Sequence, residues 1–218
     1  MKPKLVCFDL GGVLIRICRS WEEGCRAAGV TYRGELRGGP DIEAGNLTHQ
    51  RGEIDCDTFT RWCAQRAAGA YSPDEIARVH VAWTLGAYEG VERLIKDIHA
   101  AGMKTAVLSN TCEGHWKVLM PLPVLQAIPI RLASQEIRAC KPDRRAYEEV
   151  ERATGSHGDE IVYFDDLSAN IAGAAALGWS AHLIDHARDT AAQMRAVLAP
   201  ALSRIMHEAN RPADDPDA

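Results

Sequence analysis

No run in this sequence approaches the ~20 apolar residues that a membrane-spanning helix requires. The most apolar stretch, residues 119–130, is broken by Pro121, Pro123 and Pro129. The first apolar run, Leu5 to Phe8, stops at Asp9 and is too short for a secretory leader. Paired cysteine motifs are also missing. The seven cysteines are odd in number and none stands in a CxxC spacing, which argues against a disulfide framework and a zinc site. Cys18/Cys25 and Cys56/Cys63 are each seven apart. That spacing puts both members on one helix face, and they read as buried thiols kept reduced in a cytosol. No charge of one sign dominates. Thirty acidic residues against 25 basic give a net charge of −5, with no general pull toward nucleic acid or an anionic membrane. The expectation is a cytoplasmic protein with neither nucleic acid nor membrane as partner. Composition assigns no oligomeric state.

What is present is ordinary globular material: 46% apolar and 25% charged residues over 218 positions, which excludes a disordered or collagen-like chain and fits one large domain or a domain with an insertion. Leu5-Val6-Cys7-Phe8 is a continuous apolar run ended by Asp9 and then Gly11-Gly12. It reads as a buried parallel strand followed by a tight turn. Three more runs repeat the pattern. Thr105 to Leu108 ends in Ser109-Asn110, Ile161 to Phe164 in Asp165-Asp166, and Ala181 to Ile184 in Asp185. Helical segments lie between them: Val91, Leu94, Ile95 and Ile98 share a face up to Gly102, Pro142 suits a first helical turn, and an Ala-rich segment runs from Ser168 to Gly178. Alternation of this kind predicts an α/β fold with a doubly wound parallel sheet. Its ligand site belongs at the carboxyl ends of the strands, where the polar residues stand.

Residues 16–85 carry no apolar strand run. Ser20-Trp21-Glu22-Glu23 and Ser72-Pro73-Asp74-Glu75 read as helix starts, and Phe59, Trp62 and Cys63 fall at helical spacing. The predicted organisation is therefore an α/β core over residues 1–15 and 86–207, a helical insertion over 16–85, and a polar, proline-containing tail over 208–218 that reads as disordered.

Four motifs follow in order at strand ends or helix starts: Asp9-Leu10-Gly11-Gly12, Ser109-Asn110-Thr111, Lys141-Pro142-Asp143 and Asp165-Asp166. Singly, each has a plain structural use as a cap or turn. Together, on this α/β pattern, they resemble the haloacid dehalogenase (HAD) superfamily. The resemblance covers nearly the whole chain. Gly52-Glu53-Ile54 with Phe59 is similar to the helical cap of the phosphatase-like branch, and His115-Trp116 is similar to a subgroup of it. The resemblance implies a phosphatase with Asp9 as the nucleophile that forms an aspartyl-phosphate. Asp9, the carbonyl of Gly11, Asp165 and Asp166 would hold Mg²⁺, whose charge offsets three crowded carboxylates. Ser109, Asn110 and Lys141 would bind the phosphate of a small phosphorylated metabolite such as a sugar phosphate.

Many relatives carry a second Asp at the position of Gly11, where it serves as general acid and base. Its place here leaves that role open, with Glu43, Glu53 and Asp55 of the insertion as candidates. Two rival readings follow: a non-catalytic HAD-like binding protein, and a metal-independent 2-haloacid dehalogenase. The second fits poorly, because Gly11-Gly12-Val13 replaces that branch's aromatic-Gly-Thr.

Overall fold

In the computed structural model, residues 3–36 and 39–209 are described. The chain enters through β1 (Leu5–Phe8), whose four residues are all buried, as expected of a central parallel strand. After a turn, β2 (Ile15–Ile17) leads into four helices: α1 (Trp21–Ala28), α2 (Gly39–Gln50), α3 (Cys56–Arg66) and α4 (Pro73–Val81). β3 (Thr84–Ala87) then returns antiparallel to β2. Beyond it come α5 (Val91–Ala100), β4 (Lys104–Ser109), α6 (Glu113–Leu119), α7 (Pro123–Gln126), β5 (Ile130–Ala133), α8 (Ser134–Ile137) and α9 (Arg144–Thr154). The last elements are β6 (Ile161–Asp165), α10 (Ser168–Ala175), β7 (Ser180–Leu183) and α11 (Thr190–Ala209).

The central sheet is parallel, in the order β5-β4-β1-β6-β7. Connections run to opposite sides of β1, so helices cover both faces, the doubly wound arrangement. The period of two along β1 divides its side chains between two cores. Val6 and Phe8 pack with Leu94, Ile95, Met194 and Leu198, whereas Leu5 and Cys7 pack with Tyr147, Val150 and Tyr163 on the other face. Each fully buried apolar side chain of this kind contributes roughly 1.5–3 kcal/mol. Cys25, Phe59, Cys63, Tyr71, Ile76 and Val79 form a separate core in the helical cap.

Three local expectations change. The insertion is not purely helical, because β2 and β3 straddle its two ends. Three and four residues are too few to show a strand period. Pro142 precedes its helix; Asp143, accepting from the Arg145 N–H at 3.0 Å, caps a helix that begins at Arg144. Cys18 and Cys25 do not share a helix face, since Ser20 caps α1 after Cys18. The tail beyond residue 209 lies outside the described residues. Among the described residues, no helix is long and apolar enough to cross a membrane.

Candidate active site

β1 lies between β4 and β6, and the carboxyl ends of these three strands meet. Asp9 follows β1, Ser109 ends β4, and Asp165 ends β6, with Asp166 next. The Asp9 N–H donates to the Phe164 carbonyl at 2.8 Å, which fixes the end of β1 against the end of β6. Lys141 arrives from the segment between α8 and α9.

Lys141 is 3% exposed and organises the site. Its Nζ donates to Asp9 Oδ1 at 2.7 Å, Asp165 Oδ2 at 2.7 Å and the Tyr163 hydroxyl at 3.0 Å. An ammonium has three donors, and all three have acceptors here. Burial pulls the Lys141 pKa down, but the charges of Asp9 and Asp165 overcome it and hold the group above its ordinary value. Burial pushes the Asp9 carboxyl up to about 7, with Lys141 pulling it back and Asp165 adding to the rise.

The four predicted acidic and basic groups therefore converge, yet they are not equivalent. Asp165 is saturated by protein. Its Oδ1 accepts from the Leu167 N–H at 2.8 Å and Asn170 Nδ2 at 3.0 Å; its Oδ2 accepts from Lys141, Asn170 at 3.0 Å, and the Tyr163 hydroxyl. Asp166 instead faces outward, with Oδ2 at 2.9 Å from Arg19 Nη1. Carboxylate oxygens of Asp9, Asp165 and Asp166 lie within 4.8 Å of one another, a hard-oxygen set suited to Mg²⁺. Asp9 Oδ2 and Asp166 Oδ1 make no hydrogen bond among the described residues, so these two carry the free ligand positions. Asp165 has the geometry of a clamp on Lys141.

Asn110 also departs from expectation. Its Nδ2 donates to the Lys141 carbonyl and its Oδ1 accepts from the Lys141 N–H, both at 2.8 Å. The side chain clasps the lysine backbone instead of turning to a phosphate. Ser109 is 4% exposed and lines the cavity; among the described residues its hydroxyl has no hydrogen-bond partner.

Gly11 and Gly12 form the turn after Asp9. A β-carbon at Gly11 would sit 3.2 Å from Ile17 Cδ1, so Ile17 fills the space of an absent side chain. Gly12 has φ +84°, and a β-carbon there would overlap the Asp166 carboxylate and Arg19.

A cavity of about 510 Å³ opens between core and cap beside Gly11, Ser109 and Asn110, while Asp9, Lys141, Asp165 and Asp166 lie outside its lining. Ser109, Asn110 and Gly11 lie on its floor side, while Ile17, Trp21, Phe59 and Trp83 make much of its wall. Of the acid/base candidates, Glu43 lines this cavity. Glu53 and Asp55 line a different one.

Tyr163, Asn170 and Arg19 were not legible as site residues. Two carried a signal. Tyr163 stands two before Asp165 on one strand face, and Asn170 lies in the first turn of the helix that follows.

The haloacid dehalogenase-like hydrolase family model matches residues 3–178, and the chain belongs to that family. It is 27% identical over 200 residues to phosphatase MT3486 of Mycobacterium tuberculosis (strain CDC 1551 / Oshkosh), covering 87% of this chain and 91% of that one. A HAD family enzyme from Bacteroides thetaiotaomicron, solved in complex with magnesium and inorganic phosphate, superposes with a TM-score of 0.71 at 23% identity, over 88% of this chain and 100% of that chain. L-2-haloacid dehalogenase from Xanthobacter autotrophicus shares the fold at a TM-score of 0.60 and 17% identity, over 99% and 91% of the two chains.

Proposed function

We propose that the protein is a Mg²⁺-dependent phosphatase that hydrolyses a small phosphorylated metabolite through an aspartyl-phosphate on Asp9. The observation that carries this reading is Lys141, held between Asp9 and Asp165 beside an unengaged Ser109 hydroxyl and the outward Asp166. The likeness to a curated phosphatase supports it.

Asp9 attacks phosphorus, and the bond to the ester oxygen breaks as the Asp9–phosphorus bond forms. Water then attacks phosphorus, releases phosphate and restores the carboxylate. Lys141 favours the ionised nucleophile and offsets charge on the phosphoryl oxygens. Ser109 donates to one of those oxygens, while Asp165, Tyr163 and Asn110 position the lysine. Asp9 and Asp166, with the Gly11 carbonyl, would hold Mg²⁺, which supplies charge neutralisation between phosphate and carboxylates.

The cavity narrows the substrate. Its aromatic and aliphatic wall supports an ester with an apolar body over the sugar phosphate suggested by family resemblance. With no carboxyl at position 11 to protonate the departing oxygen, alcohols that leave readily as anions, such as phenols and enols, are favoured.

Hydrolysis of an aryl phosphate with Mg²⁺, and again in excess chelator, tests the reading. Metal-dependent phosphate release is expected. No release on any ester of an apolar panel would leave a binding protein, and chelator-insensitive halide release from a 2-haloacid would establish the dehalogenase instead.

A further inference from the structure

A second concentration of ligand-type side chains lies where the cap meets the core, apart from the active-site carboxylates. His49 sits near the end of α2, Cys56 opens α3, and His80 lies in α4; Cys112 and His115 come from the core at the start of α6. Ligand atoms of His49, Cys56 and Cys112 lie within 4.8 Å of one another, as do those of His80, Cys112 and His115. Cys112 belongs to both triads. The residues converge from four elements, which is why no CxxC spacing announces them.

Three observations separate this cluster from ordinary packing. His49 Nε2 lies 3.3 Å from Cys56 Sγ, near the ~3.6 Å edge between nitrogen and sulfur implied by tetrahedral zinc with its usual bond lengths. His115 Nε2 donates to the His80 carbonyl at 2.5 Å, leaving Nδ1 as a lone pair; metal-bound histidines almost always carry such an outer hydrogen bond. His49 Nδ1 is buried and has no hydrogen-bond partner among the described residues.

There is also an entrance. A cavity of about 390 Å³ opens onto His49 and Cys56, with Glu53, Asp55, Glu113 and Glu136 on its wall. Its basic neighbours are already engaged. Arg138 donates to the carbonyls of Arg51 and Gly52, and Lys117 pairs with Glu113 at 2.7 Å.

We infer that His49, Cys56 and Cys112, with His80 and His115 beside them sharing Cys112, form a site for a thiophilic divalent cation of the zinc class, separate from the carboxylate site. On binding, the two thiols release their protons to solvent and the thiolates neutralise the cation. Because ligands come from cap and core alike, an occupied site staples the two together beside the Ser109 loop.

The test is Co²⁺ titration of the reduced, full-length chain in excess Mg²⁺. A near-ultraviolet sulfur-to-cobalt charge-transfer band is expected, saturating at one equivalent and bleached by Zn²⁺. Cys56→Ser and Cys112→Ser should each lose most of the band, and Asp166→Asn should keep it. A wild-type chain without the band overturns the inference whatever the variants do. So does a band that survives in the double serine variant, or one that disappears in Asp166→Asn.

Discussion

Lys141 Nζ stands 2.7 Å from Asp9 Oδ1, a contact between residues 132 positions apart that is buried on both sides. The same nitrogen holds Asp165, so one cation compensates two carboxylates in a region nearly without water. Removing the cation strands both. Lys141→Met is expected to abolish turnover and to destabilise the fold by roughly 3–5 kcal/mol, the usual cost of breaking a buried pair from one side. Denaturant unfolding of both proteins at neutral pH measures it. A variant as stable as wild type would show that the carboxylates are satisfied without the lysine.

Gly12 permits the approach of Asp166 and Arg19. With φ +84° and no room for a β-carbon, Gly12→Ala is expected to move the Asp166 carboxylate. Turnover should fall at least tenfold, with the Mg²⁺ concentration for half-maximal rate rising. Gly12 is buried, but the atoms a β-carbon would meet are the ends of the Asp166 and Arg19 side chains, which can shift, so the melting temperature should drop by only a few degrees, on the order of a 1–2 kcal/mol backbone penalty. Wild-type metal dependence in Gly12→Ala would remove Asp166 from the metal site.

The cap has its own acid sensitivity. Glu75 completes a capping box at α4, its carboxylate accepting from the Ser72 N–H. The paired Arg33 guanidinium, then the capping bond, hold its carboxyl down at about 2 against an ordinary 4.5. A depressed carboxyl stabilises the fold fully above pH 4.5 and ceases to do so as pH falls through 2. Glu75→Gln should therefore be less stable than wild type at pH 7, and the difference should shrink across that interval. A constant difference from pH 7 to 2 would contradict the assignment.

Much of the core was legible because buried parallel strands write themselves as short apolar runs, and the runs of β1, β4 and β6 each ended on the polar residue that now stands at the carboxyl edge of the sheet. Leu5 to Phe8 with Asp9, and Ile161 to Phe164 with Asp165-Asp166, are the clearest cases. What stayed hidden depends on side-chain direction. Adjacent aspartates look alike in sequence, yet Asp165 turns inward to Lys141, Tyr163 and Asn170 while Asp166 turns out to Arg19. Asn110 looked like a phosphate donor, but its amide matches both backbone groups of Lys141. β2 and β3 were too short for a period to show. The His49, Cys56 and Cys112 cluster was invisible because its members meet only when the cap folds over the core.

The central claim is that Asp9 carries the phosphoryl group. Wild-type protein mixed with an aryl phosphate and Mg²⁺, quenched in acid within one turnover and mapped by mass spectrometry, tests it directly. A phosphoryl group on the peptide containing Asp9 is predicted, together with no turnover and no adduct in Asp9→Asn. An unmodified Asp9 peptide from an enzyme that turns over, with activity retained in Asp9→Asn, would contradict it.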